Sequence, residues 1–101
     1  MKQMVSYQLK PDRVDDNERL VVAVFEALKL SRPPGLRYVS LRQADGVSFV
    51  HLVSCDGADG RDALTTLPAF KAFVEDIKDR CDVAPVSVEL TAIGSYGYFD
   101  E

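Results

Sequence analysis

Hydrophobic and polar residues alternate with a period of two in four stretches of the chain, and recur at helical spacing in two. Residues 3–9, "QMVSYQL", place Val5, Tyr7 and Leu9 on one side and Met4, Ser6 and Gln8 on the other, the signature of a strand. "KPD" interrupts that run. Asp15 and Glu18 then have the spacing of a capping box, so a helix is expected over about residues 16–30, with Leu20, Val21, Val24, Phe25 and Leu28 as its apolar stripe. "SRPPG", residues 31–35, ends it, because two prolines and a glycine cannot continue a helix. Residues 36–44 and 47–54 alternate again around Asp45-Gly46, a dipeptide suited to a tight hairpin. "CDGADGRD", residues 55–62, reads as a polar loop. In "ALTTLPAFKAFVEDIKDR", Leu67, Phe70, Val74 and Ile77 recur as one helical face with Phe73 beside them, and Pro68 fits a first turn. A last strand is expected over residues 86–96, followed by the aromatic and acidic tail "GYFDE".

The order is therefore βαββαβ. It predicts a ferredoxin-like α+β sandwich over residues 1–101: a four-stranded antiparallel sheet, in the order 4-1-3-2, with both helices on one face. Sorting the strands by alternation gives an apolar set (Val5, Tyr7, Leu9, Val39, Leu41, Val50, Leu52, Val86, Val88, Leu90) and a mixed set (Met4, Ser6, Gln8, Tyr38, Ser40, Arg42, Phe49, His51, Val53, Ser87, Glu89, Thr91, Ile93). The apolar set is expected beneath the helices. The mixed set would then form the helix-free face, and a patch containing Met4, Tyr38, Phe49, Val53 and Ile93 calls for a cover. A second copy of the chain across a two-fold axis is the simplest one.

Composition narrows the functional classes. The 101 residues carry a net charge of -4, with twelve Lys and Arg scattered among sixteen Asp and Glu. Such a chain is expected to repel nucleic acid and anionic membranes. The third-strand signature of RNA-recognition motifs is met at Gly46, Phe49 and Val50 but fails at Asp45, Val47 and Leu52. "MKQMVSYQLK" lacks the apolar run of a signal peptide, and no stretch approaches a membrane span. Cys55 and Cys81 have no metal-binding spacing and are expected to be free buried thiols in a reducing cytoplasm.

"VSFVHLVSC" carries the only histidine, His51, inside a run that otherwise reads as strand. Its ordinary pKa suits it to general acid–base work or to hydrogen bonding with a ligand, and one histidine alone makes a poor metal site. Tyr38, Arg42, Phe49 and Glu89 share its expected face and are the candidate ligand-binding residues. Arg42 could hold a carboxylate or phenolate, and Glu89 could pair with Arg42 or orient the histidine.

The chain resembles small proteins of the antibiotic-biosynthesis-monooxygenase-like superfamily, the dimeric α+β barrels. The resemblance spans nearly the whole sequence, through "VSYQLKP", "GLRYVSLRQADGVSFVHL", "LPAFKAFVEDIKDRC" and "IGSYGYF". It implies a homodimer whose two sheets pack face to face, with a cavity on the side away from the helices. Some members oxidise aromatic polyketides without metal or flavin, so no cofactor is expected. Others degrade haem with an Asn/Trp/His set, a branch disfavoured by the absence of tryptophan. In the oxidising case His51 would take a phenolic proton from a small aromatic substrate, and Tyr38 and Arg42 would hold the anion. A non-catalytic ligand-binding module and a purely structural dimer are the other expectations.

Overall fold

In the computed structural model, which describes residues 1–98, the chain forms β1 (Lys2–Leu9), a single 3-10 turn (Pro11–Arg13), α1 (Val14–Ser31), β2 (Leu36–Arg42), β3 (Ser48–Cys55), α2 (Gly57–Thr65), α3 (Pro68–Glu75), the short turn α4 (Ile77–Arg80) and β4 (Cys81–Leu90). The sheet is antiparallel in the order β2-β3-β1-β4, the predicted one. Within the hairpin, Asp45 accepts hydrogen bonds from the Val47 and Ser48 amides and from the Ser48 hydroxyl. Gly46 there adopts a φ of 80°, which explains the glycine.

Three local expectations change. Residues 57–65 are helix, although the segment looked like loop. Its glycines allow close packing: a Cβ on Gly60 would lie 2.9 Å from the Gly35 carbonyl oxygen, so only glycine lets α2 rest on the turn before β2. The capping box is not formed, because α1 begins at Val14 and its N-cap, Arg13, makes no side-chain cap. The last strand runs over Cys81–Leu90 rather than 86–96, and the final residues of the expected tail, 99–101, lie outside those described.

The larger correction concerns the faces. The register pairs Val5 with His51, Tyr7 with Phe49, and Ser40 with His51. Directly paired residues point the same way, so Tyr38, Ser40, Arg42, Phe49, His51 and Val53 lie on the same side as Val5 and Tyr7. That side is the one under the helices: Tyr7, Leu9, Val24, Phe49, Leu64, Phe73 and Ile77 form one buried cluster. The assignment for β1 holds, while those for β2, β3 and β4 are reversed. The helix-free face instead carries Met4, Val39, Leu41, Val50, Leu52, Val86 and Val88, with Val39 39% exposed, Leu41 48% and Val86 54%. Ile93 lies beyond β4 and is fully exposed.

The reason is polar partnership. The mixed set can lie beneath the helices because α1 and α4 supply buried polar groups to meet it. Asn17 continues the α1 stripe of Leu20, Val21, Val24 and Leu28 toward the N-terminus. Arg80 continues the line of Phe70, Phe73 and Ile77. Both are buried, Asn17 at 0% and Arg80 at 2% exposure. Val74, expected on the packed stripe, faces outward in its place.

Candidate functional site

His51 sits at the middle of β3, buried between the sheet and α3. The Phe73 ring lies nearly parallel to it, with centroids 5.3 Å apart. Both ring nitrogens are engaged. Tyr7 Oη lies 2.7 Å from Nε2, Tyr38 Oη lies 2.7 Å from Nδ1, and Ser40 Oγ approaches Nε2 at 3.2 Å. These neighbours follow from strand register, since Ser40 is the direct cross-strand partner of His51 and Tyr7 is one pleat along β1.

The network continues inward. Asn17 Nδ2 donates to Tyr7 Oη at 2.9 Å. Arg80 Nε donates to Asn17 Oδ1 at 3.2 Å, and Arg80 Nη2 to the Phe73 carbonyl at 2.6 Å. The guanidinium also lies 5.6 Å from the centre of the Phe73 ring. Every buried side-chain nitrogen and oxygen among the described residues has a hydrogen-bond partner, so a polar layer that would otherwise be costly beneath the helices is satisfied.

Burial sets the electrostatics. Desolvation pushes the His51 pKa down from 6.5 to about 4, which keeps the ring neutral at neutral pH. Desolvation raises the Tyr7 pKa to about 12 against the opposing hydrogen bond from Asn17. It also lifts the Tyr38 hydroxyl well above the ordinary tyrosine range. The unfolded chain protonates the His51 ring as pH falls through 6.5, while the folded chain resists until about 4. The stabilisation is complete above 6.5 and is lost progressively down to about 4. The shift is equivalent to about 3 kcal/mol. Urea unfolding at about pH 7.5 and about pH 4.5 should show a fall of that order, and His51→Gln should flatten the dependence over this interval.

A cleft of about 410 Å³ opens beside this cluster, between the sheet and α2–α3. Tyr38, His51, Val53, Leu64, Phe70 and Phe73 contribute its walls, and Arg61 stands at its edge. A second hollow of about 530 Å³, bounded by the segment after β4, shares Tyr38 and Val53 with it.

Of the residues singled out from sequence, the cleft brings together His51 and Tyr38. Phe49 is core, stacked on Tyr7 at 5.7 Å, and does not line the cleft. Arg42 is at the far end of β2, on an ion pair with Glu18 of α1 instead of Glu89. Glu89 is exposed on the edge strand opposite Gln3, away from His51. Sequence reasoning missed Tyr7, Asn17 and Arg80 as members of the site. Their signal was a polar group in phase with an apolar stripe. Phe70 and Phe73, expected as core, are core residues that also wall the cleft. Cys55 and Cys81 are buried and unpaired, as expected. Among the described residues no helix is long and apolar enough to cross a membrane.

This arrangement defines a class: a ferredoxin-like α+β fold with a ligand-sized cleft between its sheet and helices. Comparison with solved structures gives that class its neighbours. The chain is similar to an antibiotic biosynthesis monooxygenase at 18% identity, with a TM-score of 0.74 over 92% of this chain and 98% of the other. It is similar to Rv0793 from Mycobacterium tuberculosis at 15% identity, TM-score 0.76, over 93% and 95% of the two chains. It is also similar to a mutant of SnoaB, a cofactor-independent oxygenase from Streptomyces nogalater, at 16% identity, TM-score 0.68, over 95% of each chain. No family model and no curated protein matches the sequence. The chain has the fold of the antibiotic biosynthesis monooxygenases, and at this identity the likeness speaks for fold rather than activity.

Proposed function

We propose that the chain is a cofactor-independent, monooxygenase-like protein that takes a small aromatic or polyketide-like molecule into the cleft beneath its helices and works as a cytoplasmic homodimer. The observation that carries this reading is the juxtaposition of an aromatic-walled cleft with the Tyr38–His51–Tyr7 hydrogen-bond cluster. A hydroxyaromatic ligand would stack among Phe70, Phe73 and Tyr38 with its oxygen toward the Tyr38 hydroxyl. In its anionic form such a ring is electron-rich enough to react with oxygen, and a hydrogen bond at the phenolate oxygen holds that anion in place. His51 then acts through Tyr38, since both of its nitrogens are already occupied.

The dimer would form through the helix-free face. Its aliphatic side chains make a large apolar surface for a lone chain, and a second copy is the occupant best matched to it. A second reading, a ligand-binding module without turnover, is favoured by one observation: the site's only imidazole is neutral and fully engaged, so no free base stands at the cleft.

The test is made on one preparation. Light scattering should give twice the mass of the 11.2 kDa chain. Phenols should raise the melting temperature, and a hydroxyanthrone should be consumed with oxygen uptake above its spontaneous rate. Binding without added uptake would select the module, and neither binding nor uptake would overturn both readings.

A further inference from the structure

We infer that Arg80 and Asn17 fix the direction of the buried hydrogen-bond chain so that Tyr38 presents its hydroxyl proton to the cleft, which makes the cleft a site for an acceptor oxygen, carbonyl or phenolate. The ligand class rests on the reading above; the direction of the chain does not.

Arg80 is the one group in this chain of hydrogen bonds with no choice of role. A guanidinium has donors only. Arg80 Nε points at Asn17, so the atom facing it is the amide oxygen, and the amide nitrogen must face Tyr7. Tyr7 Oη therefore accepts from Asn17. Its own proton has one remaining partner within reach, His51 Nε2. That nitrogen must be the bare, accepting one. In a neutral imidazole the proton then sits on Nδ1, which donates to Tyr38 Oη. Ser40 Oγ also approaches Nε2, at 3.2 Å, but that nitrogen has a single lone pair, and the shorter contact of 2.7 Å gives it to Tyr7. Tyr38 Oη, already accepting, has no further partner among the described residues, and its proton is left for the cleft that Tyr38 lines. Each link is dictated by the one before it, and the sequence of links starts 63 residues away in the chain from Asn17.

Asn17 is a positioning residue with a reversible role. In Asn17→Asp one carboxylate oxygen still accepts from Arg80, and the other now accepts from Tyr7 instead of donating to it. Tyr7 then accepts from His51 Nε2–H, Nδ1 becomes the bare nitrogen, and Tyr38 turns its proton inward. The substitution is isosteric and pairs a buried cation, so the fold has reason to tolerate it.

His51 is the only histidine, so nitrogen NMR on histidine-labelled protein reports this ring alone. The unliganded wild type should carry its proton on Nδ1, and Asn17→Asp should move it to Nε2. A wild-type proton on Nε2, or a variant with an unchanged tautomer, overturns the inference; the wild-type spectrum decides even if the variant does not fold. Duroquinone, which offers acceptor oxygens only, should bind the wild type about 10-fold more tightly than Asn17→Asp, the effect of about one hydrogen bond. Equal binding to both would overturn the ligand class. Failure to bind either, with the tautomers as expected, would count against the ligand-site reading and leave the direction of the chain standing.

Discussion

Arg80→Ala should lower the stability of the fold by about 3–5 kcal/mol, the sum expected for two buried acceptors left unpaired and a cavity opened beside the core. Two costs add. The Asn17 carbonyl and the Phe73 carbonyl lose charged donors at 3.2 and 2.6 Å, and a buried polar group without its partner costs about 1–3 kcal/mol. The guanidinium also fills space against the Phe73 ring at a position only 2% exposed, so its removal leaves a cavity next to the core. Against a total of roughly 5–15 kcal/mol for a domain of this size, the loss is a large fraction. Urea titration should show a lower midpoint with the slope unchanged. Arg80→Lys should recover only part of it, since an ammonium has no planar fork to reach both acceptors. A loss of stability below about 1 kcal/mol would mean that the buried network does not support the fold.

The second large effect concerns chemistry rather than stability. Tyr38→Phe keeps the ring packed against Phe25 and Phe70 and removes the hydroxyl that meets His51 Nδ1 at the cleft. If that oxygen holds a developing anion, oxygen uptake with a hydroxyanthrone should fall about 100-fold, in the range for losing one donor to an oxyanion. Affinity should fall by only about 10-fold, the worth of the one hydrogen bond lost, because the rings that stack on the flat aromatic body remain. Stability should fall by about 1 kcal/mol, the net worth of one hydrogen bond. The split between rate and affinity distinguishes this role from a structural one. A variant that retained full turnover would remove Tyr38 from the chemistry.

Much of this fold was legible in the chain. The strand order followed from the βαββαβ pattern, and Leu20, Val21, Val24, Phe25 and Leu28 do form the packed side of α1. What could not be read was the parity of three strands. Alternation says which residues share a face but not which face is which, and the rule that apolar residues lie beneath the helices failed here. Both faces had a claim. The wholly aliphatic set of Val39, Leu41, Val50, Leu52, Val86 and Val88 lies open, while the set carrying Tyr38, Ser40 and His51 lies beneath helices equipped with Asn17 and Arg80 to satisfy it. His51 and Tyr38 were recognisable together because alternation put them on one face, and the histidine stood out as an ionisable ring inside a run that reads as strand. Tyr7 passed for an ordinary apolar residue. Asn17 and Arg80 were hidden by their distance in sequence, since only the packed helices bring an α1 amide to the guanidinium before β4. Arg42 and Glu89 looked eligible by parity alone, and the length of their strands carried them away from the cleft.

The strand order has a consequence for how the chain reaches this state. β1 lies in the middle of the sheet, yet it precedes both of its ladder partners along the chain: Lys2 is matched to Ser54 on one side and to Leu90 on the other. Neither edge of β1 can be closed by a local turn. The β2–β3 hairpin can form early from near neighbours, while insertion of β1 against β4 must wait for contacts spanning nearly the whole polypeptide. Folding should therefore be slow for the chain's length, its barrier dominated by the entropy of bringing remote segments together, with the central strand the last to have both margins sealed.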